Sequence, residues 1–514
     1  MSFITKLSSI ALALLLLISV GMSAAQAPTL VPVISEAFGY QSLAPEDWQY
    51  TPTNGLWQRA SNPTDLALMA QQSAPLPPDA LLEAILPQLG LEEAPESIGE
   101  QESNGLTWTL YYVEVAAQGV QVNVDFAISA AEGKTYVVFL QTAPEDYPDL
   151  HESVFVPILA AFSLLEVAPL DLPYSALEVS IPNGEVTLSG TLTLPEGAGP
   201  FPVVILVSGS GPQDRDETLA PTIPIKPFFL IADHLTRNGI AVLRYDDRGV
   251  GQSTGQFDSA TLEDFTSDAQ AALDFLTTRP EIDQEHLGLL GHSEGGLVAA
   301  KLAASDSRLD FVITLAGPSV LGSEVLLLQN QLILENAGSQ PEAVTIQLDY
   351  LRAVFEVLAS PDPTDEEAMR QLTYDSIIAQ AEYATEEDLA AIGDLEAFAN
   401  EQADAAITTL AGTWFRSFLL YDAGEDWART TIPALAIYGG KDLQVPDEQN
   451  AAPFEAAMQA AGNTNYQVLV YPNANHLMQE AITGAIEEYG TLPAEFTPDF
   501  LPDLTDWILA QVGG

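Results

Sequence analysis

The chain is 514 residues long, 47% apolar and 8% aromatic, which suits packed cores in two or three domains and argues against wholesale disorder. It carries 72 acidic residues against 16 basic ones, a net charge of −56; so few cations offer no footprint to nucleic acid or anionic lipid, which argues against a nucleic-acid function. The absence of cysteine removes disulfides, a thiol nucleophile, thiolate-ligated metal and a lipidated N-terminal cysteine.

In chain order, residues 1–25 read as an export signal. Lys6 supplies the positive start, Ile10 to Val20 the apolar stretch, and Ser23-Ala24-Ala25 a small-residue cleavage site. The expected location is secreted or periplasmic, outside the cytoplasm, with an uncleaved anchor over Leu7 to Ala25 as the alternative. Residues 28–165 form a separate α+β unit. Its clearest strands are Leu106 to Val115, Val120 to Ile128 and Lys134 to Gln141, joined at Gln118-Gly119 and Glu132-Gly133 as antiparallel hairpins. Helices are expected over Asp79 to Leu86 and Val154 to Phe162, both on one face of the sheet. The opening Phe38-Gly39-Tyr40 and Pro45-Glu46-Asp47-Trp48 resembles the start of PsbP-like domains. His151, the unit's one histidine, reads as a surface helix residue and not as a ligand. Residues 166–175, with Pro169 and Pro173, form the linker.

From 176 to 514 the pattern changes. A hairpin, Ala176 to Ile181 and Val186 to Leu194, turns at Pro182-Asn183-Gly184. Apolar runs follow at Val203 to Val207, Ile240 to Tyr245, Leu287 to Leu290, Phe311 to Leu315, Ala434 to Tyr438 and Tyr466 to Val470. Helical stretches separate them, among them Leu262 to Leu276 with a capping box at Thr261 and Asp264. Strands alternating with helices make a mostly parallel, doubly wound sheet. A largely helical, acidic insertion at about 322–430 breaks the rhythm and reads as a lid.

Gly291-His292-Ser293-Glu294-Gly295-Gly296 carries the chemistry. It follows an apolar strand and precedes a small-residue helix, the setting of a nucleophile elbow. Gly251-Gln252-Ser253-Thr254-Gly255 matches the same pattern but stands in a polar loop, so Ser253 reads as a structural serine. A serine hydroxyl needs a base within hydrogen-bond reach. His234 and His286 lie in regular elements and His292 points away from its neighbour. His476 lies in a loop directly after the last strand, on the edge where the elbow sits. The orienting acid should leave another strand end between the two; Asp442, after Tyr438-Gly439-Gly440-Lys441, meets that condition, while Asp447 reads as a helix cap. Oxyanion donors are expected from the amide of Glu294 and from that of Ser210, in the loop after Val207. Trp414, Phe415, Phe418 and Tyr421 read as a core stripe, and Arg248 as the partner of a nearby carboxylate.

Together SGSGPQDRDE (Ser208 to Glu217), LRYDDRGVGQS (Leu243 to Ser253), GHSEGG, YGGKD ending at Asp442 and YPNANH ending at His476 resemble bacterial carboxylesterases of the EstD type, over residues 176–514. Many relatives begin the first of these loops with His-Gly; Ser208 stands in place of that histidine here. The resemblance implies an α/β-hydrolase fold and hydrolysis of small short-acyl esters through an acyl-enzyme, with no metal or organic cofactor. Peptidase and thioesterase chemistry occur on the same fold, and a non-catalytic binding protein is the remaining alternative.

Overall fold

A computed structural model describes residues 28–513 apart from 36–37, 52–54, 60–64, 75, 92, 118–119, 132, 166–171, 220–222, 361–364, 385–388, 390–391, 393 and 411. The expected export signal, most of the linker and the turn residues Gln118, Gly119 and Glu132 lie outside the described residues. The chain divides into two compact units, one made mainly of residues up to 171 and the other mainly of residues from 172 on.

In chain order, the first unit contains β1 (Leu30–Ser35), β2 (Tyr40–Pro45), β3 (Gln49–Thr51), β4 (Leu56–Gln58), β5 (Leu68–Ala74), β6 (Gly99–Ser103), β7 (Leu106–Ala117), β8 (Val120–Ala131), β9 (Lys134–Thr142) and β10 (Ser163–Leu164). They make two antiparallel sheets, β1-β2-β10 and β3-β4-β5-β9-β8-β7-β6. The helices do not share one face, as the sequence suggested. Leu81 and Ile85 of the helix Pro78–Ile85 pack with Val137 and Phe139, whereas Val154 and Ile158 pack with Val138 and Leu140. Alternate residues of β9 point to opposite faces, so each face carries one helical layer. That is why β9 is apolar along its whole middle. The expected helix over Val154 to Phe162 is also irregular: a π-turn, His151–Phe155, runs into the helix Val156–Ala161.

The second unit contains β11 (Ser175–Asn183), β12 (Val186–Leu194), β13 (Phe201–Val207), β14 (Ala241–Tyr245), β15 (Ile282–His292), β16 (Phe311–Leu315), β17 (Ala434–Gly439) and β18 (Tyr466–Tyr471). They form one sheet in the order β11-β12-β14-β13-β15-β16-β17-β18. The first two pairings are antiparallel and the other five parallel. Pro182 lies within β11 and not in the turn; β11 is an edge strand, where a missing N–H leaves no ladder bond unmade. Parallel strands are buried on both faces, and two apolar layers cover this sheet. One includes Leu273, Leu297 and Phe454, the other Phe228, Phe311 and Trp507. Asp264 and Thr261 exchange hydrogen bonds at the start of the helix Leu262–Thr277, as the capping-box pattern requires.

Between β16 and β17 the chain is helical: Gly322–Asn336, Pro341–Ala359, Glu366–Gln380, Leu395–Leu410, Thr413–Leu419 and Ala423–Trp427. These helices have a small core of their own around Val354, Phe355, Leu358, Met369 and Leu419. Among the described residues no helix is long and apolar enough to cross a membrane.

Candidate active site

The carboxyl ends of β13, β15, β17 and β18 deliver the site, because parallel strands all end at one edge of the sheet. β15 turns into the helix Gly295–Ser305 through Ser293, whose φ is +51°, a left-handed conformation that an L-residue adopts only when its surroundings enforce it. The surroundings are backbone. A Cβ on Gly291 would come within 1.9 Å of the Gly295 carbonyl oxygen, and one on Gly295 within 2.2 Å of the Val207 oxygen. The Ser293 amide donates to Leu315 O of β16 at 2.9 Å, fixing the turn to the neighbouring strand.

The loops after β17 and β18 are laced together: the Lys441 amide donates to Ala474 O at 2.9 Å and the Gly440 amide to Tyr471 O at 2.8 Å. This brings Asp442 to His476. Asp442 Oδ2 lies 2.7 Å from His476 Nδ1, and both side chains are buried. The other carboxylate oxygen accepts from the amides of Gln444 at 2.7 Å and Val445 at 2.9 Å. Asp442 is thus held from the far side, and its hydrogen bond presents Nε2 of the imidazole away from the acid. Asp447 does not cap the following helix: Pro446 occupies the cap position and Asp447 is the first helical residue, where its charge faces the positive end of the helix dipole.

The loop after β13 closes against the elbow; a Cβ on Gly209 would stand 3.1 Å from Ser293 Cβ. Among the described residues, the amides of Ser210 and Glu294 have no hydrogen-bond partner. Glu294 directly precedes the first turn of the helix Gly295–Ser305, so its N–H stands at a positive helix end. Ser208 is turned away, its hydroxyl donating to Asp247 at 2.7 Å.

Two partners were not legible in the sequence. Glu217, fully buried and at φ +59°, accepts from the Gly209 amide at 3.1 Å and lies 2.6 Å from His292 Nδ1. His292 Nε2 lies 3.1 Å from the backbone oxygen of His476. Burial pushes the imidazolium of His292 down, but the Glu217 carboxylate and the His476 carbonyl outweigh it, and the net shift is upward. One carboxylate therefore ties the loop after β13 to the residue before Ser293 and, through it, to the loop that carries His476. The second partner is Trp414, whose indole N–H donates to Glu294 Oε1 at 2.8 Å.

The remaining residues have structural surroundings. Arg248 donates to both oxygens of Asp268 at 2.7 and 2.9 Å and to Asp264 at 2.8 Å. His286 pairs with Asp283, and His234 lies within the helix Pro227–Arg237. His151 is not simply a surface residue: its Nδ1 is 2.6 Å from Asp125 Oδ2, and that carboxyl is fully buried and also accepts from Tyr147.

The family model described as "Serine aminopeptidase, S33" matches residues 226–354, a stretch that includes the elbow and stops before Asp442 and His476. Esterase EstD of Thermotoga maritima is 29% identical over 291 residues, 57% of this chain and 58% of EstD. The second unit has the α/β-hydrolase fold. Polyketide transferase claH of Penicillium crustosum is 32% identical to this chain over 158 residues, 29% of this chain and 46% of that protein. The chain thus spans a little over half the length of EstD and under half of claH. Among solved structures, an esterase of Pyrococcus furiosus overlaps at 16% identity with a TM-score of 0.40, over 68% of this chain and 96% of its own.

Proposed function

We propose that this hydrolase is an exported serine esterase that cleaves short-acyl carboxylic esters through an acyl-enzyme. The observation that carries the proposal is the meeting, at one sheet edge, of a serine in a strained strand-to-helix turn and a buried Asp442–His476 pair. In the proposed reaction Ser293 Oγ attacks the acyl carbonyl while Nε2 of His476 takes its proton. The amides of Glu294 and Ser210 donate to the oxygen that becomes negative. The C–O bond to the alcohol breaks as His476 returns the proton to the leaving oxygen. Water, deprotonated by His476, then adds to the acyl-enzyme and releases the carboxylic acid and free Ser293. Asp442 keeps Nδ1 protonated throughout, so that Nε2 can accept. EstD's name supports the ester assignment.

The family model supports a second reading, removal of N-terminal residues from peptides. Offering one acyl group as ester, thioester and anilide to the purified protein distinguishes the readings. The proposal expects the ester to be turned over fastest; an anilide turned over faster, with the ester inert, overturns it. Export is tested separately by sequencing the N-terminus of protein recovered outside the cytoplasm, with cleavage after Ala25 as the expected result.

A further inference from the structure

Glu294 is an unexpected residue beside a nucleophile. Its amide is positioned to stabilise a negative oxygen, yet its own side chain is an acid that would oppose one. Only 3% of the residue is exposed, and it borders a cavity lined by Val207, Phe265 and Val298 together with Asp247 and Asp268. Burial raises its carboxyl to about 7, against the pull of Trp414 and Ser210, so the acid is readily neutral where a charge would be harmful. Burying a carboxyl costs free energy unless it is hydrogen-bonded, and here the bonding reaches into the helical insertion. The indole of Trp414 stands one hydrogen bond away from the residue that follows Ser293.

Trp414 is held there by its own helix. Thr413 Oγ1 donates to Ser259 O at 3.2 Å, and Ser417 Oγ accepts from the Leu262 amide at 3.1 Å. On the insertion side the fit is close: a Cβ on Gly322 would lie 2.0 Å from Phe418 O. The rings of Phe415 and Phe418 lie 6.2 and 6.1 Å from that of Trp414. Phe418 is buried, but Trp414 is only half-buried. Part of this aromatic side chain therefore remains exposed while its indole N–H is tied to the residue beside Ser293.

We infer that Trp414 is the specificity-determining wall that limits acyl length, and that Glu294 is the positioning residue that anchors it to the nucleophile elbow. This rests on the esterase reading and adds the reason for its short-acyl preference. A methylene group in an apolar pocket changes kcat/KM by about 10- to 200-fold, so moving such a wall alters the acyl profile and not only the overall rate.

The test is kcat/KM for p-nitrophenyl acetate, butyrate and octanoate with the full chain and four variants. Trp414→Ala is expected to raise the octanoate-to-acetate ratio by at least about tenfold. Trp414→Phe, which keeps a ring and loses the donor, and Glu294→Leu, which loses the acceptor, shift the ratio in the same direction by less. Glu294→Gln keeps a carbonyl oxygen for the indole N–H and holds the ratio within about twofold of the parent's, whatever happens to its absolute rate. An unchanged ratio in folded Trp414→Ala and Trp414→Phe overturns this inference while the esterase reading stands. Failure of the parent protein to hydrolyse any of the three esters overturns both.

Discussion

Two stretches of this chain share the pattern G-x-S-x-G, and their serines live in opposite settings. The hydroxyl of Ser253 is held by backbone: it donates to Asp246 O at 2.7 Å and accepts from the Ser189 amide at 2.9 Å. Both partners are backbone groups, so the one proton of the Ser253 hydroxyl is already committed to the loop after β14. Ser293 is in the left-handed turn between β15 and a helix, with glycines where a Cβ would strike backbone. The pentapeptide alone does not define a nucleophile. A strand, a tight turn and a helix must surround it, and a base must come from another strand end.

The contrast can be broken by substitution. Ser293→Ala should lower kcat by about a million-fold, leaving what binding and the oxyanion donors supply; retention of more than a percent of the parent rate in a folded variant would place the nucleophile elsewhere. Asp442→Asn should lower kcat by about 10⁴-fold, because the amide favours the wrong imidazole tautomer while the serine remains. A loss comparable to that of Asp447→Asn, which only removes a helix-end charge, would mean that Asp442 has no part in the reaction.

Glu294 gives a smaller effect with a definite sign. Burial raises its carboxyl from the ordinary 4.5 to about 7, so the folded protein binds that proton more tightly than the unfolded chain. Its contribution to stability is complete below the unfolded value and fades as pH rises through the folded one. Glu294→Gln cannot ionise and should therefore gain about 2 to 3 kcal/mol relative to the parent between pH ~5 and ~8. The measurement is the difference in Tm between the two proteins at each pH, and a constant difference would show that the carboxyl is not perturbed. Ser253→Ala should have the smallest consequence for chemistry. It removes the hydroxyl's two hydrogen bonds to backbone groups and should lower stability by about 1–3 kcal/mol, with the hydrolytic rate of the folded fraction unaltered.

Much of the second unit was legible because its signals are local. Apolar runs marked β13 to β18, and the glycines around Ser293 marked the elbow, since each reports a constraint within a few residues. Glu217 and Trp414 were not legible, because their contacts with His292 and Glu294 span 75 and 120 positions along the chain and leave no periodic trace. In the first unit, β3 and β4 have only three residues each, too few for alternation to register. The placement of helices on both faces did have a signal. Thr135 to Leu140 is an unbroken apolar-rich run, as expected of a strand covered on two sides, and the hairpin pattern around it drew the reading toward one covered face.

In the proposed reaction Ser293, and not Ser253, is the residue that becomes acylated. A fluorophosphonate probe forms a stable bond only with a serine activated by a neighbouring base, so reaction of the purified protein followed by peptide mass spectrometry tests it directly. One adduct is expected, on the peptide carrying Ser293, present in Ser253→Ala and absent in Ser293→Ala. An adduct on Ser253 in the parent protein, or undiminished labelling of folded Ser293→Ala, would contradict it.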